Sequence, residues 1–477
     1  MRRTFASAIV LVLTAGCAVG PNYKQPVVSV PDQYREVQGP PAPTPSLANQ
    51  AWWEIFQDET LKGLIDEALR SGYDVQLAAA RVEEARAQAG IARSEFFPQV
   101  GYGGGVSRGL TSTYVVPGST TVNRVNANVN FGWEIDLWGR VRRQSEAAKA
   151  RYLATEEARR GVILSLVSGV AQSYFSLREL DAELAIAKNT VTAFQGTTDL
   201  FQRKLEGGAA SAIQTTYSAA ALEQVAAQVP LIERQIEATE NVLNLLLGRN
   251  PAPIPRGAPL TEQALPPEVP AGLPSELLER RPDIRQAEQQ LVAANADVGV
   301  AMANFFPTIS LTGFFGGVSP DVSNLFAAGK AWSIAAGLVG PLFQGGRLRS
   351  EYDAAVARWQ QAKIQYEQTV TNAFAETTTV LYAREKIAAS EASLARTVDQ
   401  YREMVRLANV RYTAGLSSYF EVLYAMQQLY PAEQSLARSR SDRLSNLVDI
   451  YKALGGGWNI QSPGWESPAA TPASAQQ

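Results

Sequence analysis

Histidine occurs nowhere in this chain of 477 residues, and cysteine occurs once, as Cys17. Imidazole is the usual general base near neutral pH and, with thiolate, the usual zinc ligand. Serine–histidine and cysteine–histidine catalysis are therefore excluded, and the Cys/His zinc sites with them. A dominant charge is missing too. With 43 basic residues against 46 acidic ones, nothing draws the chain toward nucleic acid. Carboxylates remain, but none sits in a recognisable pocket motif, so the composition argues against an enzyme. Proline is absent between Pro117 and Pro230 and again between Pro341 and Pro431. Arg140 to Glu206 and Arg347 to Ala414 can thus each run as one helix. Roughly 67 residues at 1.5 Å each reach about 100 Å, longer than any globular core.

What is present is present twice. Phe96-Phe97-Pro98 recurs as Phe305-Phe306-Pro307, 209 residues later. Gly139-Arg140 recurs as Gly346-Arg347, and Arg203 to Gly207 recurs as Arg411 to Gly415, at offsets of 207 and 208. The same landmarks in the same order mean a duplicated unit of about 200 residues. Each unit reads as a helix, two strands, one very long helix and a shorter one. Ala187, Val191, Phe194, Thr198, Phe201 and Leu205 are spaced 4,3,4,3,4, as are Leu394, Val398, Tyr401, Val405, Ala408 and Tyr412. That period of 3.5 predicts long helices wrapped on neighbouring helices.

The N-terminus reads as an export signal. Arg2 and Arg3 precede the apolar run Phe5 to Leu13, which is too short to span a bilayer. The run ends in Leu13-Thr14-Ala15-Gly16-Cys17, which resembles the lipobox of bacterial lipoproteins. That resemblance implies a covalent lipid, diacylglycerol and an N-acyl chain, on Cys17 as the mature N-terminus. Ala18 stands where an aspartate would mark inner-membrane retention, which favours the outer membrane. The segments are then a signal peptide, 1–16; a lipid anchor with a proline-rich extended strap, 17–50; a first repeat, 51–250; a proline-rich linker, 251–274; a second repeat, 275–456; and a disordered tail, 457–477.

Between the helices the pattern changes to period two. Val125, Ala127, Val129, Phe131, Trp133, Ile135 and Leu137 alternate with Asn126, Asn128, Asn130, Gly132, Glu134 and Asp136. Trp332, Ile334, Ala336 and Leu338 repeat the pattern more weakly, and the stretches around Tyr102 to Leu110 and Ile309 to Phe315 supply partner strands. A soluble sandwich gives the same alternation. The export signal and lipid site point instead to a membrane barrel, with apolar residues toward lipid and Glu134 and Asp136 toward a lumen. Four strands cannot close a barrel, so several copies must share one.

Several segments resemble one family, the outer-membrane channel components of tripartite efflux pumps, like TolC and more closely its OprM and NodT lipoprotein branch. They are Cys17-Ala18-Val19-Gly20-Pro21-Asn22-Tyr23; Asp136-Leu137-Trp138-Gly139-Arg140; Glu279-Arg280-Arg281-Pro282-Asp283-Ile284 with Phe305-Phe306-Pro307; and Arg411-Tyr412-Thr413-Ala414-Gly415. The resemblance runs from Cys17 to about Gly456. It implies an α+β membrane protein with a duplicated half-unit, acting as a homotrimer. Each copy gives four strands to a shared twelve-stranded outer-membrane β-barrel, continuous with a long periplasmic α-helical barrel. The implied function is a passive exit duct for drugs, toxic compounds or metal ions. Implied partners are a periplasmic adaptor (membrane fusion) protein, an inner-membrane pump of the resistance-nodulation-division type and outer-membrane lipid, with no nucleic acid and no cofactor besides the lipid. The exit duct of a type I protein-secretion system shares this fold, and a lipid-anchored structural coiled coil would use the same long helices.

The resemblance also assigns roles. Tyr419, Glu421 and Tyr424 match the positions where the family narrows its tube, and Glu421 equally suits the first turn of a helix by charge. Arg203, Gly207, Arg411 and Gly415 lie at the turns after the long helices, where an adaptor would dock. Glycine there suits a left-handed helix cap and arginine a helix C-terminus. Gly139 and Gly346 permit a sharp change of path from strand to helix. Pro282 and Asp283 suit the start of a helix.

Overall fold

The computed structural model describes residues 18–31, 55–110, 121–263 and 276–456. The signal peptide, Cys17, the strap from 32, the linker from 264 and the tail lie outside the described residues. The first repeat contains α1 (Glu59–Ser71), α2 (Tyr73–Ser94), β1 (Gln99–Leu110), β2 (Thr121–Ile135), α3 (Arg140–Glu206), α4 (Ala212–Ala226) and α5 (Gln228–Leu246). The second contains α6 (Glu276–Arg280), α7 (Pro282–Ala303), β3 (Thr308–Ser319), β4 (Lys330–Val339), α8 (Arg347–Thr413) and α9 (Phe420–Ala453). Helices α3 and α8 have 67 residues each, the lengths the proline-free stretches predict. The shorter helix differs between repeats. It runs as α9, with Pro431 inside it, and in the first repeat as α4 and α5, joined by Ala227, which keeps helical φ −62° and ψ −21°. Pro230, three residues past Ala227, has no N–H to give the Ala226 carbonyl, and this missing bond marks the junction of α4 and α5.

The chain forms two compact units. One holds 80–157 and 286–368 with the N-terminal residues up to Val28, and its centre is a four-stranded antiparallel sheet in the order β1-β2-β3-β4. Register follows the period-two pattern. Gly101, Gly103 and Gly105 stand opposite Asn130, Asn128 and Asn126, and a Cβ on any of the three would meet the asparagine side chain at 3.0–3.4 Å. The carboxamides thus lie over a strip of bare backbone. On the other face the Phe131 ring covers Gly313, where a Cβ would come within 1.9 Å of the ring. Tyr102, Val106, Phe315, Trp332, Ile334 and Leu338 stand exposed on this apolar face. The strap docks on the same unit. Val19 donates its N–H to the Trp138 carbonyl at 3.0 Å, Arg143 donates to Asn22 Oδ1 at 2.7 Å, and the Tyr23 hydroxyl donates to Glu288 at 3.2 Å.

The other unit holds 29–79, 158–285 and 369–477. Leu61 and Ile65 of α1, Val170, Tyr174 and Leu177 of α3, Leu243 of α5 and Val448 and Tyr451 of α9 form its main core. Fully burying each such aliphatic side chain contributes about 1.5–3 kcal/mol. Two polar hubs pin the connections to this core. Asp58 caps α1 through the Thr60 and Leu61 amides and accepts from the Tyr174 hydroxyl, the Ala258 amide and Gln263. Burial pushes its carboxyl up, but the bonds from Gln263, Tyr174, Leu61 and Thr60 outweigh that and hold it below its ordinary range. Buried Arg281 donates to the Ala453 carbonyl at 2.8 Å, to Asp283 at 2.8 Å and to Glu376 at 2.7 Å. It ties the end of α9 to α8 and to the start of α7, which Pro282 and Asp283 open as expected.

Candidate functional site

Two places gather the predicted residues, one in each unit. The first is where the long helices turn back. After α3, Gly208 has φ +72°; its N–H donates to the Leu205 carbonyl at 3.0 Å and the Ala209 N–H to Lys204 at 2.7 Å. After α8, Gly415 has φ +72°; its N–H donates to Tyr412 at 3.0 Å and the Leu416 N–H to Arg411 at 2.9 Å. Both are helix caps that end in a left-handed residue, which glycine adopts without a Cβ clash. The structural equivalents are therefore Gly208 with Gly415 and Lys204 with Arg411. The sequence match of Arg203 and Gly207 to Arg411 and Gly415 is one residue out of register. Arg203 and Gly207 lie exposed on the turn. Lys204, which the sequence pattern did not single out, hydrogen-bonds the Tyr412 hydroxyl; the offset of 207 that relates Gly139 to Gly346 also relates Lys204 to Arg411.

Behind the turns, Phe194 and Phe201 of α3, Ala408 of α8, and Val422 and Leu423 of α9 form a small core with α4. Phe194, Phe201 and Ala408 are among the period-3.5 positions of α3 and α8, and Val191 and Tyr412 of the same series pack against the core. Tyr419 belongs to this core rather than to a pore lining. It is 8% exposed, its ring meets Phe201 and Tyr412 edge-on at centroid distances of 4.9 and 4.8 Å, and its hydroxyl shares a 2.8 Å hydrogen bond with Thr197. Within the chain the ring is thus packed among α3, α8 and α9 rather than exposed as Tyr424 is.

Glu421 and Tyr424, by contrast, face outward. Glu421 Oε2 accepts from Arg411 Nε at 3.1 Å, with both side chains about half exposed. The expected carboxylate is there, but a guanidinium neutralises it, so Arg411 is engaged within the chain. Tyr424 lines a groove of about 600 Å³ with Met404, Leu407, Arg411, Phe420 and Glu421. Phe420 leans on Tyr217, ring centroids 5.4 Å apart.

The second place is the strand-to-helix junction. The expected pair of lumen-facing strand carboxylates takes a different form. Strand β2 ends at Ile135, so Asp136 is outside it. Its carboxylate accepts the N–H groups of Val141 and Arg142 at 3.1 and 3.0 Å and so satisfies the free amides of α3's first turn. Glu134 remains in the strand but takes both Arg140 Nε at 2.8 Å and Nη2 at 2.6 Å. Both carboxylates hold the helix start. Gly139 makes the bend at φ +81°, and a Cβ there would lie 2.6 Å from Ala18; Gly346 repeats the conformation at φ +85°. Among the described residues no group of acidic side chains is arranged to hold a metal ion, and no helix is long and apolar enough to cross a membrane.

The chain is similar to known proteins over most of its length. The family model described as outer membrane efflux protein matches residues 64–249 and 273–456. The solvent efflux pump outer membrane protein SrpC of Pseudomonas putida is 36% identical over 458 residues, 94% of this chain and 97% of that protein. The cation efflux system protein CusC of Escherichia coli K12 is 34% identical over 452 residues, 94% of this chain and 98% of that protein. The open-state structure of the MtrE outer membrane channel of Neisseria gonorrhoeae superposes with a TM-score of 0.84 at 32% identity, covering 92% of this chain and 98% of that one.

Proposed function

The chain belongs to the outer membrane efflux protein family, and from that premise we propose that it is the outer-membrane exit channel of a tripartite efflux system. The sheet carries the reading. β1 and β4 are both open edges, and the face bearing Tyr102, Trp332 and Leu338 is exposed. In hydrocarbon each unpaired backbone group costs several kcal/mol, so four strands are viable there only as a segment of a closed barrel. Three copies supply twelve strands, and the long helices after β2 and β4 supply the wall of a periplasmic helical barrel. The channel is a homotrimer of the outer membrane that moves its cargo passively and performs no chemistry.

The relatives compared above are named for solvent and cation efflux, which supports small toxic molecules or metal ions as cargo. A periplasmic adaptor docks at the turns around Arg203, Gly207, Arg411 and Gly415, and an inner-membrane pump of the resistance-nodulation-division type supplies the energy. Cys17 carries diacylglycerol and an N-acyl chain as a second anchor. Purified full-length protein added to planar bilayers should give discrete, long-lived conductance steps. Protein that inserts yet carries no current would overturn the channel reading.

A further inference from the structure

We infer that Leu342 and Phe343, at the exit of β4, latch onto Phe97-Pro98, at the entry to β1 of the next copy, and so set the strand register between copies. This rests on the shared-barrel reading above. Within one chain the same latch is already visible. Strand β2 exits into Leu137-Trp138, and the Trp138 ring stacks on Phe306 at 4.7 Å and 22°. Its indole N–H donates to the Pro307 carbonyl at 2.8 Å. Phe305-Phe306-Pro307 is the entry to β3, the strand paired with β2. One strand's exit is thus fastened to its neighbour's entry.

The second repeat has the same parts without the contact. Strand β4 exits into Leu342-Phe343, which are 104% and 90% exposed. The matching entry, Phe96-Phe97-Pro98, leads into β1, and Phe97 is 58% exposed. In its own chain β1 pairs with β2 and β4 with β3, so the pair that would bring this exit to this entry is the one the sheet lacks. Each copy carries one exit and one entry, a head-to-tail contact that closes into a ring.

The duplication also supplies the register. Leu137-Trp138 maps to Leu342-Phe343 when the two extra residues of the second repeat, Gln344 and Gly345, are placed between Phe343 and Gly346, and Phe306-Pro307 maps to Phe97-Pro98. The observed pairs Trp133 with Leu311 and Val129 with Phe315 then become Leu338 with Tyr102 and Ile334 with Val106 of the next copy. All four are exposed apolar residues, and this register aligns them on one face. A slip by a single residue would set each against the polar face.

The test uses the full-length chain with paired cysteines. In Leu338→Cys/Tyr102→Cys the proposed register sets the two thiols directly opposite each other, the cross-strand placement nearest the ~4 Å Cβ separation that a disulfide needs. Mild oxidation should convert the monomer band on non-reducing gels to covalent dimers and trimers. In Leu338→Cys/Val106→Cys the partner is displaced by four residues, and that cross-link should be lost. The mass of the detergent-solubilised protein is read in parallel. A multimer in which the displaced pair bonds preferentially, or neither pair bonds, overturns the register and leaves the channel intact. A monomer overturns the shared barrel itself. Phe343→Ala should lower the temperature at which the multimer dissociates on gels, and Phe343→Trp should restore it. An unchanged temperature in Phe343→Ala refutes the latch.

Discussion

Glu421 lies six positions past the cap at Gly415, and its partner Arg411 is the fourth residue before that cap. The turn brings them to 3.1 Å, so their pairing depends on a backbone path no local pattern encodes. With both side chains about half exposed, the pair adds only about 0.2–1 kcal/mol to stability. Its consequence is electrical. If threefold symmetry brings these residues around one axis, each carboxylate arrives with its own cation, and the parent channel should select weakly. A unit charge about 5 Å from a passing ion in water is worth roughly 0.8 kcal/mol, about fourfold in local concentration. Arg411→Gln should therefore uncover the carboxylate and raise cation preference. Glu421→Gln should leave a bare guanidinium and push preference toward anions. Reversal potentials in a salt gradient read both signs. If neither variant moves the potential, the pair lies away from the conduit. Tyr419 makes the complementary point. From sequence it is one more aromatic at the start of α9, and only Phe201 and Tyr412, on two other helices, show that it is buried core.

At the scale of elements, helix length was legible and helix ends nearly so. Absence of proline predicts α3 over Arg140–Glu206 and α8 to within one residue of Thr413, because a long helix mainly requires that nothing interrupt its hydrogen bonds. The spacing of Phe194, Phe201, Val398 and Ala408 likewise predicts buried seams. Less legible were features decided by backbone geometry: the loss of Asp136 from its strand to cap α3, and which glycine takes the left-handed cap. The cap gives a direct test. A Cβ at Gly207, Gly208 or Gly415 would touch little or nothing closer than van der Waals contact, so any cost must come from backbone conformation. Gly208 and Gly415 have positive φ and Gly207 does not. Gly208→Ala and Gly415→Ala should each destabilise by about 1–2 kcal/mol, and Gly415→Asn by less, since asparagine tolerates that region. Gly207→Ala should be nearly neutral. Denaturant unfolding in detergent compares the four variants. A larger loss for Gly207→Ala than for Gly208→Ala would restore the one-residue-shifted match of the repeats.

At the scale of the whole molecule the question is where the chain is tied to the membrane. The barrel is one tie. The proposed lipid on Cys17 would be the other, and the first described residues after it are held at the strand-to-helix junction. Val19 bonds the Trp138 carbonyl, Arg143 holds Gly20 and Asn22, and Gly20 packs so closely on Gly299 that a Cβ would come within 2.5 Å of its Cα. That junction is where membrane strands give way to helices, so acyl chains on the preceding residue would enter the bilayer at the barrel's periplasmic rim. Each buried methylene contributes roughly 0.8 kcal/mol, and several chains on one residue make a stable anchor. Because Cys17 is the only thiol in the chain, the assignment can be read without ambiguity between cysteines. Cells expressing the parent protein and fed radioactive palmitate should yield a labelled channel, and Cys17→Ser should lose the label completely. The described strap contacts are made by Val19, Gly20, Asn22 and Tyr23, none of which the substitution changes. Full labelling of Cys17→Ser would move the lipid to another residue type and remove the reason for the strap to start at the membrane rim.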